Sequence, residues 1–482
     1  MMASGIAGPM GLALSQAQRG LFITAPNPRV GCVLTTADGR VIGEGHTQQA
    51  GGPHAEIMSL RDAQARGEST QGTTAWVTLE PCSHHGRTGP CCDALIAAGV
   101  SKVVASIADP NPLVSGQGFA RLRAAGIKIE VGPGAHETRE LNIGFFSRMV
   151  RQVPWVRMKL AASLDGKTAL DNGVSQWITS EPARADGHAW RARACAVLTG
   201  IGTVLDDDPR LDVRLMDTSR QPHLAVVDSR LETPHDARLF EAQRRVFIYA
   251  AVDHPERRAA LQARGATVIL LPAVVAGTPG KVDLTAMLRD LARREVNELH
   301  VEAGSRLNGA FLAQGLVDEC VVYLAPKFIG EGRDMASFGP LTDLAQAVPL
   351  SFSSAEMMGP DLRVTARIAD VGPGALPLLI GIGLIAISIV LMLQKQVVSP
   401  AEPGGETFGE QTKRAFAALA TVAVYCLAVE FVGFFVPTLI FAAAIIVWMD
   451  GRIALPRAIV TSLVLCGSTY LLFKVLLDLP LP

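Results

Sequence analysis

The chain has 482 residues, of which 49% are hydrophobic and 18% are charged, and its formal net charge is −1. A chain of this length holds roughly three domains, and this composition excludes a largely disordered protein. Because an excess of Lys and Arg is lacking, the chain has no electrostatic footprint for nucleic acid, and no nucleic-acid partner is expected.

Residues 1–150 predict one α/β layered domain, because helical and strand patterns alternate along them. A short helix is predicted at 10–19, where Gly20 ends it, and further helices are predicted at 54–66, 92–98 and 137–150. The predicted strands of this block are 30–35, 41–46, 74–79, 102–107 and 127–131.

Residues 154–369 repeat this alternation with strands of their own and predict a second α/β domain. The predicted strands are 155–161, 196–199, 223–227, 245–250, 267–271, 298–302, 319–324 and 362–368. After them Gly372-Pro373-Gly374 marks a break, and the chain becomes strongly apolar.

Three possible metal ligands and a carboxylate lie at the ends of predicted elements in the first domain. His54 and Glu56 open a predicted helix, while Cys82 and Cys91 follow a strand and begin the next helix. The eight cysteines of the chain are too widely spaced for a disulfide framework, so thiols or ligands are expected. One imidazole and two thiolates leave the fourth position of a zinc ion open for water, as in catalytic sites. Glu56 is then placed to take a proton from that water and pass it to a departing amino group.

Each of these residues also has an ordinary structural explanation. A lone His-Ala-Glu begins many surface helices, and a single cysteine is most often a small buried residue. The combination in this order is what favours a catalytic site. Cys92, next to Cys91, is expected to pack on its helix, with the alternative that it is itself the ligand.

Three motifs of the first domain match a known family pattern. Pro26-Asn27-Pro28, Gly43-Glu44-Gly45-His46 and the run 78–91 resemble the deaminase half of the bifunctional riboflavin-biosynthesis deaminase-reductases. The separation of Cys82 and Cys91 exceeds the usual C-x-x-C of nucleobase deaminases, and this longer loop is the family's own pattern. The resemblance implies a cytidine-deaminase-like three-layer fold, proton transfer by Glu56, zinc on His54, Cys82 and Cys91, and pyrimidine contacts from Asn27, His46 and His84.

A glycine-rich turn follows a strand of the second domain. Glu302 ends the predicted strand 298–302, and residues 304–309 open the next helix. Backbone N–H groups and the helix dipole favour a phosphate at such a helix start. The signal is weak alone, because these turns are common and this one is not the G-x-G-x-x-G of dinucleotide folds.

Motifs at 158–166, 175–179 and 203–209 resemble the reductase half of the same family, whose fold is similar to dihydrofolate reductase. The resemblance runs collinearly to about residue 369. It implies an NADPH site formed by Ala161, Trp177, Thr203, Asp207, Ser229, Gly304, Ser305, Arg306, Leu307, Asn308, Gly309 and Ala310. It implies a substrate site formed by Ser175, Arg191, Leu211, Arg214 and Glu302. The two arginines suit a ribose phosphate, although ordinary solvated surface charges are the alternative.

The resemblance as a whole implies a bifunctional enzyme with Zn²⁺ and NADPH as cofactors and a pyrimidine ribotide as small-molecule partner. Hydrolytic deamination of 2,5-diamino-6-(5-phosphoribosylamino)pyrimidin-4-one to 5-amino-6-(5-phosphoribosylamino)uracil is followed by reduction of the ribosyl to the ribityl chain. One rival is a cytidine-type or tRNA deaminase, which the missing basic patch and the idle reductase motifs disfavour. Another is a membrane transport subunit that carries the enzyme as a fused passenger. A homo-oligomer is left open.

Residues 372–482 predict an α-helical transmembrane tail. Only 12 of the last 112 residues are charged, and 375–393 carry no charge over a length that spans a bilayer core. The candidate spans are 375–393, 415–429, 431–449 and 458–477. The break at Gly372 and the ending at Pro482 resemble the small membrane subunit of tripartite tricarboxylate transporters, without that subunit's first apolar helix.

The expected location contains a conflict. No Lys or Arg precedes Arg19, so no secretory signal is expected, and the catalytic domains are expected in the cytoplasm with the tail in the inner membrane. Five basic residues of the tail, Lys395, Lys413, Arg414, Arg452 and Arg457, fall in two loops. The positive-inside rule would place both loops in the cytoplasm, which leaves residue 374 outside. A gene fusion near Asp370 that removed the first helix would explain this mismatch.

Overall fold

The computed structural model describes residues 6–83, 89–112, 114–273 and 280–368, which belong to one compact unit. Its helices are Pro9–Arg19 (α1), Ala55–Ala65 (α2), Cys91–Ala97 (α3), Gln117–Ala124 (α4), Ala135–Leu141 (α5), Ile143–Arg151 (α6), Glu181–Arg193 (α7), Ile201–Asp207 (α8), Pro255–Ala263 (α9), Leu284–Arg293 (α10) and Ser305–Ala313 (α11). Its strands are Gly31–Thr35 (β1), Val41–His46 (β2), Thr74–Val77 (β3), Lys102–Ala105 (β4), Lys128–Val131 (β5), Trp155–Ser163 (β6), Lys167–Leu170 (β7), Ala196–Gly200 (β8), His223–Val227 (β9), Val246–Ala250 (β10), Ala266–Leu270 (β11), Glu298–Val301 (β12), Glu319–Ala325 (β13), Gly332–Asp334 (β14), Leu350–Met358 (β15) and Asp361–Ile368 (β16).

The first half is a three-layer sandwich around a five-stranded sheet in the order β2-β1-β3-β4-β5. Strand β1 pairs antiparallel with β2 and β3, while β3, β4 and β5 run parallel. Helix α1 covers one face, where Leu14 packs with Val33 and Val104, and the other face packs against Leu95 of α3 and Phe119 of α4. Since both faces are covered, every residue of β1 is buried. The predicted three-layer fold is confirmed.

The second half is built on a nine-stranded sheet in the order β11-β10-β9-β8-β12-β6-β13-β16-β15. The strands from β11 to β13 run parallel, and β16 and β15 are antiparallel at one edge. Strand β12 enters between β8 and β6, so the strand order reverses there. Ligand crevices of open α/β sheets lie outside the carboxyl ends of strands at such a point. The predicted second α/β fold is confirmed.

The helix predicted at 137–150 is wrong as a single element, because α5 and α6 are separated at Asn142. The Asn142 side chain accepts a hydrogen bond from the Arg29 N–H at 2.7 Å and donates one to the Arg29 carbonyl at 2.9 Å. A side chain that pairs with distant backbone competes with the local helix. A helical pattern could not reveal this partner, since it lies 113 residues away.

The two halves meet at a buried carboxylate. Glu298, the first residue of β12, pairs with Arg29 of the first half at 2.5 Å and with Arg157 and Arg193 of the second at 2.8 Å each. Burial raises the pKa of Glu298, but the charges of Arg193, Arg29 and Arg157 hold it well below its usual range. This ion cluster therefore ties β12, the middle strand of the nine-stranded sheet, to the first half.

The predicted transmembrane tail, residues 372–482, lies outside the described residues, and so do its four candidate spans. In the part of the chain that is described, no helix has both the length and the apolarity needed to cross a bilayer. The described structure ends with β16 at Ile368, at the antiparallel edge of the nine-stranded sheet.

Candidate active sites

Three possible ligands converge at the starts of α2 and α3. His54 caps the start of α2, Cys82 lies after β3, and Cys91 is the first residue of α3. The Nδ1 atom of His54 lies 3.6 Å from the Cys82 Sγ and 3.4 Å from the Cys91 Sγ. The Cys91 N–H donates to the Cys82 Sγ at 3.3 Å. One donor atom from each residue thus lies within 4.8 Å of the others.

This donor set fits zinc. With Zn–N near 2.0 Å and Zn–S near 2.3 Å, tetrahedral ligand atoms are separated by about 3.5 Å, as the two histidine–sulfur distances are. Hydrogen bonds from Cys91, together with the proximity of His54, lower the pKa of the Cys82 thiol below its ordinary value, which favours the thiolate form that metals bind. Cys92 points elsewhere, because its Sγ donates to the Pro81 carbonyl at 3.2 Å inside the core.

Helix α2 carries the predicted proton carrier. Glu56 lies in its first turn and is only 3% exposed. Burial, followed by the charge of Cys82, raises the pKa of Glu56 to about 7. Gly45 of β2 allows α2 to approach the sheet closely, because a Cβ there would lie 2.5 Å from the Ser59 nitrogen. Gly45 therefore helps to position α2 against the sheet.

A cavity of about 390 Å³ opens onto this cluster. His54, Glu56 and Cys82 line it, and so does the predicted pyrimidine contact Asn27. His46 is not among the described residues that line the cavity, although its neighbour Thr47 is. The other predicted contact, His84, lies outside the described residues.

Glu80 shapes the cavity and is a residue to which the sequence motifs assign no role. Its carboxylate accepts hydrogen bonds from the backbone N–H groups of Asp109 at 3.1 Å, Gly116 at 2.9 Å and Phe119 at 3.1 Å. These bonds hold the segment that carries Asp109 along the cavity wall. The sequence feature that could have indicated this role is an acidic residue directly before Pro81-Cys82, in the segment that follows β3.

The predicted substrate residues of the second half form a charge network. Arg191 of α7 makes a two-point pair with Glu302, with Nη2 and Oε2 2.9 Å apart, and donates to the Asp212 carbonyl at 3.0 Å. Arg214 pairs with the Asp212 carboxylate at 2.8 Å, and its N–H donates to His188 Nδ1 at 3.2 Å. Leu211, the neighbour of Asp212, is buried.

Arg191 and Arg214 differ in exposure. The Arg191 side chain is 14% exposed, so it is not the solvated surface charge of the alternative interpretation, whereas that of Arg214 is 47% exposed. Burial raises the pKa of Glu302, but Arg191 holds it well below its usual range, and the pair stays ionised. Ser175 lies on the loop between β7 and α7 and is half-buried.

Several predicted cofactor residues follow neighbouring parallel strands at their carboxyl ends. Thr203 follows β8, Ser229 follows β9 and Gly304 follows β12, while Ala161 lies near the end of β6. A Cβ on Gly304 would lie 3.7 Å from the Thr203 hydroxyl, so these two segments adjoin. Asp207 ends α8, and Trp177 is 63% exposed beneath the Arg184 guanidinium.

The rest of the α11 motif divides into an outer and an inner part. Ser305 and Arg306 begin the helix, and Arg306 is exposed. Asn308 is buried and donates to the carbonyls of Ala303 and Met335 at 3.0 Å each, while a Cβ on Gly309 would lie 1.8 Å from a backbone oxygen of the adjoining loop. Leu307 and Ala310 pack against the core. The packing gives the inner residues a structural role, and their cofactor role stays a prediction.

The fold and the two sites define a zinc-dependent deaminase joined to a reductase. The family model for the cytidine and deoxycytidylate deaminase zinc-binding region matches residues 8–107, and that for the RibD C-terminal domain matches residues 154–364. The chain is 45% identical to the riboflavin biosynthesis protein RibD of Escherichia coli over 359 residues, covering 73% of this chain and 96% of the relative. It is 39% identical to RibD of Aquifex aeolicus over 355 residues, covering 74% and 96%.

Solved structures of RibD proteins are similar to this chain over both α/β halves. The structure of Acinetobacter baumannii RibD matches with TM-score 0.67 and 38% identity, covering 74% of this chain and 97% of that chain. A deaminase/reductase from Thermotoga maritima matches with TM-score 0.65 and 33% identity, covering 75% and 98%. The chain belongs to the RibD family of bifunctional riboflavin-biosynthesis deaminase-reductases, with zinc and NADPH as cofactors.

A third family model, that of the tripartite tricarboxylate transporter TctB family, matches residues 342–482. It overlaps the RibD match at 342–364, where the structure has β15 and the start of β16. Both strands belong to the nine-stranded sheet. The overlapping residues are therefore part of the reductase fold, and the transporter resemblance extends beyond it to the end of the chain.

Proposed function

We propose that the first half converts 2,5-diamino-6-(5-phosphoribosylamino)pyrimidin-4-one to 5-amino-6-(5-phosphoribosylamino)uracil, and that the second half reduces its ribosyl group with NADPH. The Thermotoga maritima relative bears the name diaminohydroxyphosphoribosylaminopyrimidine deaminase/5-amino-6-(5-phosphoribosylamino)uracil reductase. The observation that carries the proposal is the cluster of His54, Cys82 and Cys91 with the buried Glu56, where His54, Cys82 and Glu56 line one cavity. In this assignment residues 1–150 are the deaminase domain and 154–369 the reductase domain.

In the deaminase step, His54, Cys82 and Cys91 hold the zinc ion. When bound, zinc would supply Lewis-acid chemistry that makes water a nucleophile at neutral pH. Glu56 takes a proton from the attacking water and delivers it to the departing 2-amino group, so the water oxygen becomes the exocyclic oxygen at C2 and the amino group leaves as ammonia. Asn27 on the cavity wall, with His46 and His84, orients the pyrimidine.

In the reductase step, NADPH supplies a hydride when bound, and the chain supplies its placement. We assign cofactor contacts to Ala161, Trp177, Thr203, Asp207, Ser229 and residues 304–310. The substrate side comprises Ser175, Leu211, Arg191, Arg214 and Glu302. Of the two arginines, Arg214 is the more exposed and so the better placed to meet a phosphate, whereas Arg191 is committed to Glu302.

The experiment measures ammonia release and NADPH oxidation by the purified full chain. The diaminopyrimidine ribotide should yield both, and the Glu56→Gln variant should release no ammonia yet still oxidise NADPH when given the uracil ribotide. Glu44→Gln, a half-buried carboxylate on β2, is the matched control. Wild-type ammonia release by Glu56→Gln would remove the proton carrier, and ammonia from cytidine without the ribotide would favour the cytidine-type rival.

For residues 372–482 we propose attachment of the enzyme to the inner membrane, with the catalytic halves in the cytoplasm. The transporter-family match and the uncharged run at 375–393 support this. A second candidate, that the tail also serves as a transport subunit carrying the enzyme as a passenger, is favoured by the same match. Membrane fractionation of the full chain tests attachment, and co-purification of a large transporter subunit tests the second candidate. Homo-oligomer formation stays a prediction.

A further inference from the structure

One wall of the deaminase cavity carries a positive charge that the proposed deaminase chemistry does not use. Arg148 of α6 lines the same cavity as Glu56 and His54. Of the described lining residues it is the only Lys or Arg. A guanidinium group stays protonated in proteins and presents five N–H donors in a fixed fork.

Arg148 is held in place from the reductase half. Its Nε donates to the Asn297 Oδ1 at 2.5 Å, and its guanidinium lies 5.8 Å from the centre of the Phe145 ring. Asn297 is 5% exposed and also donates through Nδ2 to the Pro26 carbonyl at 2.8 Å, so it fixes a second cavity residue. Because Asn297 bonds to Nε, the two Nη groups of Arg148 are left to bind a ligand, and within the described residues Arg148 forms no salt bridge.

We infer that Arg148, positioned by Asn297, binds the phosphate of the ribotide in the deaminase cavity. The inference rests on the proposed function, because that substrate carries a dianionic phosphate on the ribose attached to its pyrimidine. With the pyrimidine at Glu56, we place the ribose phosphate along the same cavity, which Arg148 also lines. A guanidinium fork matches phosphate oxygens at two points, and a positioned one loses less entropy on binding.

Four acidic residues, Glu56, Glu80, Asp109 and Glu295, also belong to the described lining of the cavity. Glu295, on the segment between α10 and β12, lines the cavity and is exposed. Burial lowers the pKa of Arg148 and the charge of Glu295 raises it, so the Glu295 carboxylate is close enough to interact electrostatically with the Arg148 guanidinium. Because Glu295 repels a phosphate, removing its charge should have the opposite effect to removing Arg148.

The test compares deamination of the ribotide with deamination of its dephosphorylated riboside. For Arg148→Ala we expect KM for the ribotide to rise roughly 10- to 100-fold with kcat little changed, since a bond made equally in ground and transition states is lost. KM for the riboside should not change. For Glu295→Gln we expect KM for the ribotide to fall by a factor of about 2 or less, because exposed charges are screened.

Arg151→Ala is the matched control. Arg151 lies on the same helix, pairs with Asp318 of the reductase half at 2.7 Å and stacks 5.5 Å from the Trp155 ring, but it does not line the cavity. It should leave the ratio of the two KM values unchanged. Reduction of supplied uracil ribotide by Arg148→Ala should match the wild type, which reports on folding.

The outcomes are separable. An equal rise of KM for both substrates, or no rise for either, would overturn the phosphate role of Arg148. If the wild type itself releases no ammonia from the ribotide, the proposed function fails instead, whatever the variant does.

Discussion

The deaminase and reductase sites are built in contrasting ways. The deaminase site is local, since its ligands and Glu56 lie at the starts of α2 and α3 and just after β3. The predicted reductase residues are instead spread over α7 and the segments that follow β8, β9 and β12. Short contiguous motifs can encode a metal site, because helix and strand ends fix the ligands. A cleft at a sheet edge depends on the strand order, which no single motif records.

The sharpest way to test this contrast is to remove one metal ligand. Cys82→Ser should lose bound zinc and slow ammonia release by at least about 10³-fold, while reduction of supplied uracil ribotide is unchanged. Metal analysis and the two activity assays measure this. Cys92→Ser is the control, because the Cys92 Sγ bonds to the Pro81 carbonyl and not to His54. If Cys92→Ser lost zinc and Cys82→Ser kept it, Cys92 would be the zinc ligand and Cys82 would not.

The same contrast explains what the sequence could predict. The residue pattern predicted the three ligands and Glu56, because each lies within a few residues of an element end, and the structure brings them together. The family resemblance implied Asn27, which lines the same cavity as His54, Cys82 and Glu56. The resemblance also implied a pyrimidine contact from His46, which is not among the described residues that line the cavity. The reductase residues came from family resemblance alone. Arg29 and Glu298 could not be paired in advance, since 269 residues separate them.

The junction tests whether the two sites are independent in stability as well as in chemistry. Glu298→Gln leaves Arg29, Arg157 and Arg193 without their shared carboxylate, and loss of one partner from a buried ion cluster costs roughly 3–5 kcal/mol. We expect the free energy of unfolding in urea to fall by that amount and both activities to be lost at the same urea concentration.

The control for the junction is Glu356→Gln. Glu356 is 49% exposed and pairs with Arg363 at 2.8 Å, so its loss should cost about 1 kcal/mol or less. If Glu298→Gln costs no more than this control, or if the two activities are lost at separate urea concentrations, the ion cluster does not couple the halves.

Acidification should weaken the same junction. The pKa of Glu298 in the folded protein is well below its ordinary value of 4.5, so its stabilisation is complete above that pH and is lost as the pH falls below it. The free energy of unfolding of the wild type should decline more steeply than that of Glu298→Gln below pH 4.5, by up to about 1.4 kcal/mol per pH unit. Parallel slopes in urea titrations would contradict this.

The smallest expected effect concerns how the cofactor residues divide between the cleft and the core. Thr203, beside Gly304, should donate or accept one hydrogen bond to NADPH, so Thr203→Val should raise KM for NADPH roughly 2- to 10-fold with ammonia release unchanged. Asn308→Ala should instead lower the free energy of unfolding and leave this KM unchanged, because its amide is committed to the Ala303 and Met335 carbonyls. A larger KM effect from Asn308→Ala than from Thr203→Val would mean that the inner residues of α11 reach the cofactor. The cofactor site would then include Asn308, whose side chain is buried in the folded chain.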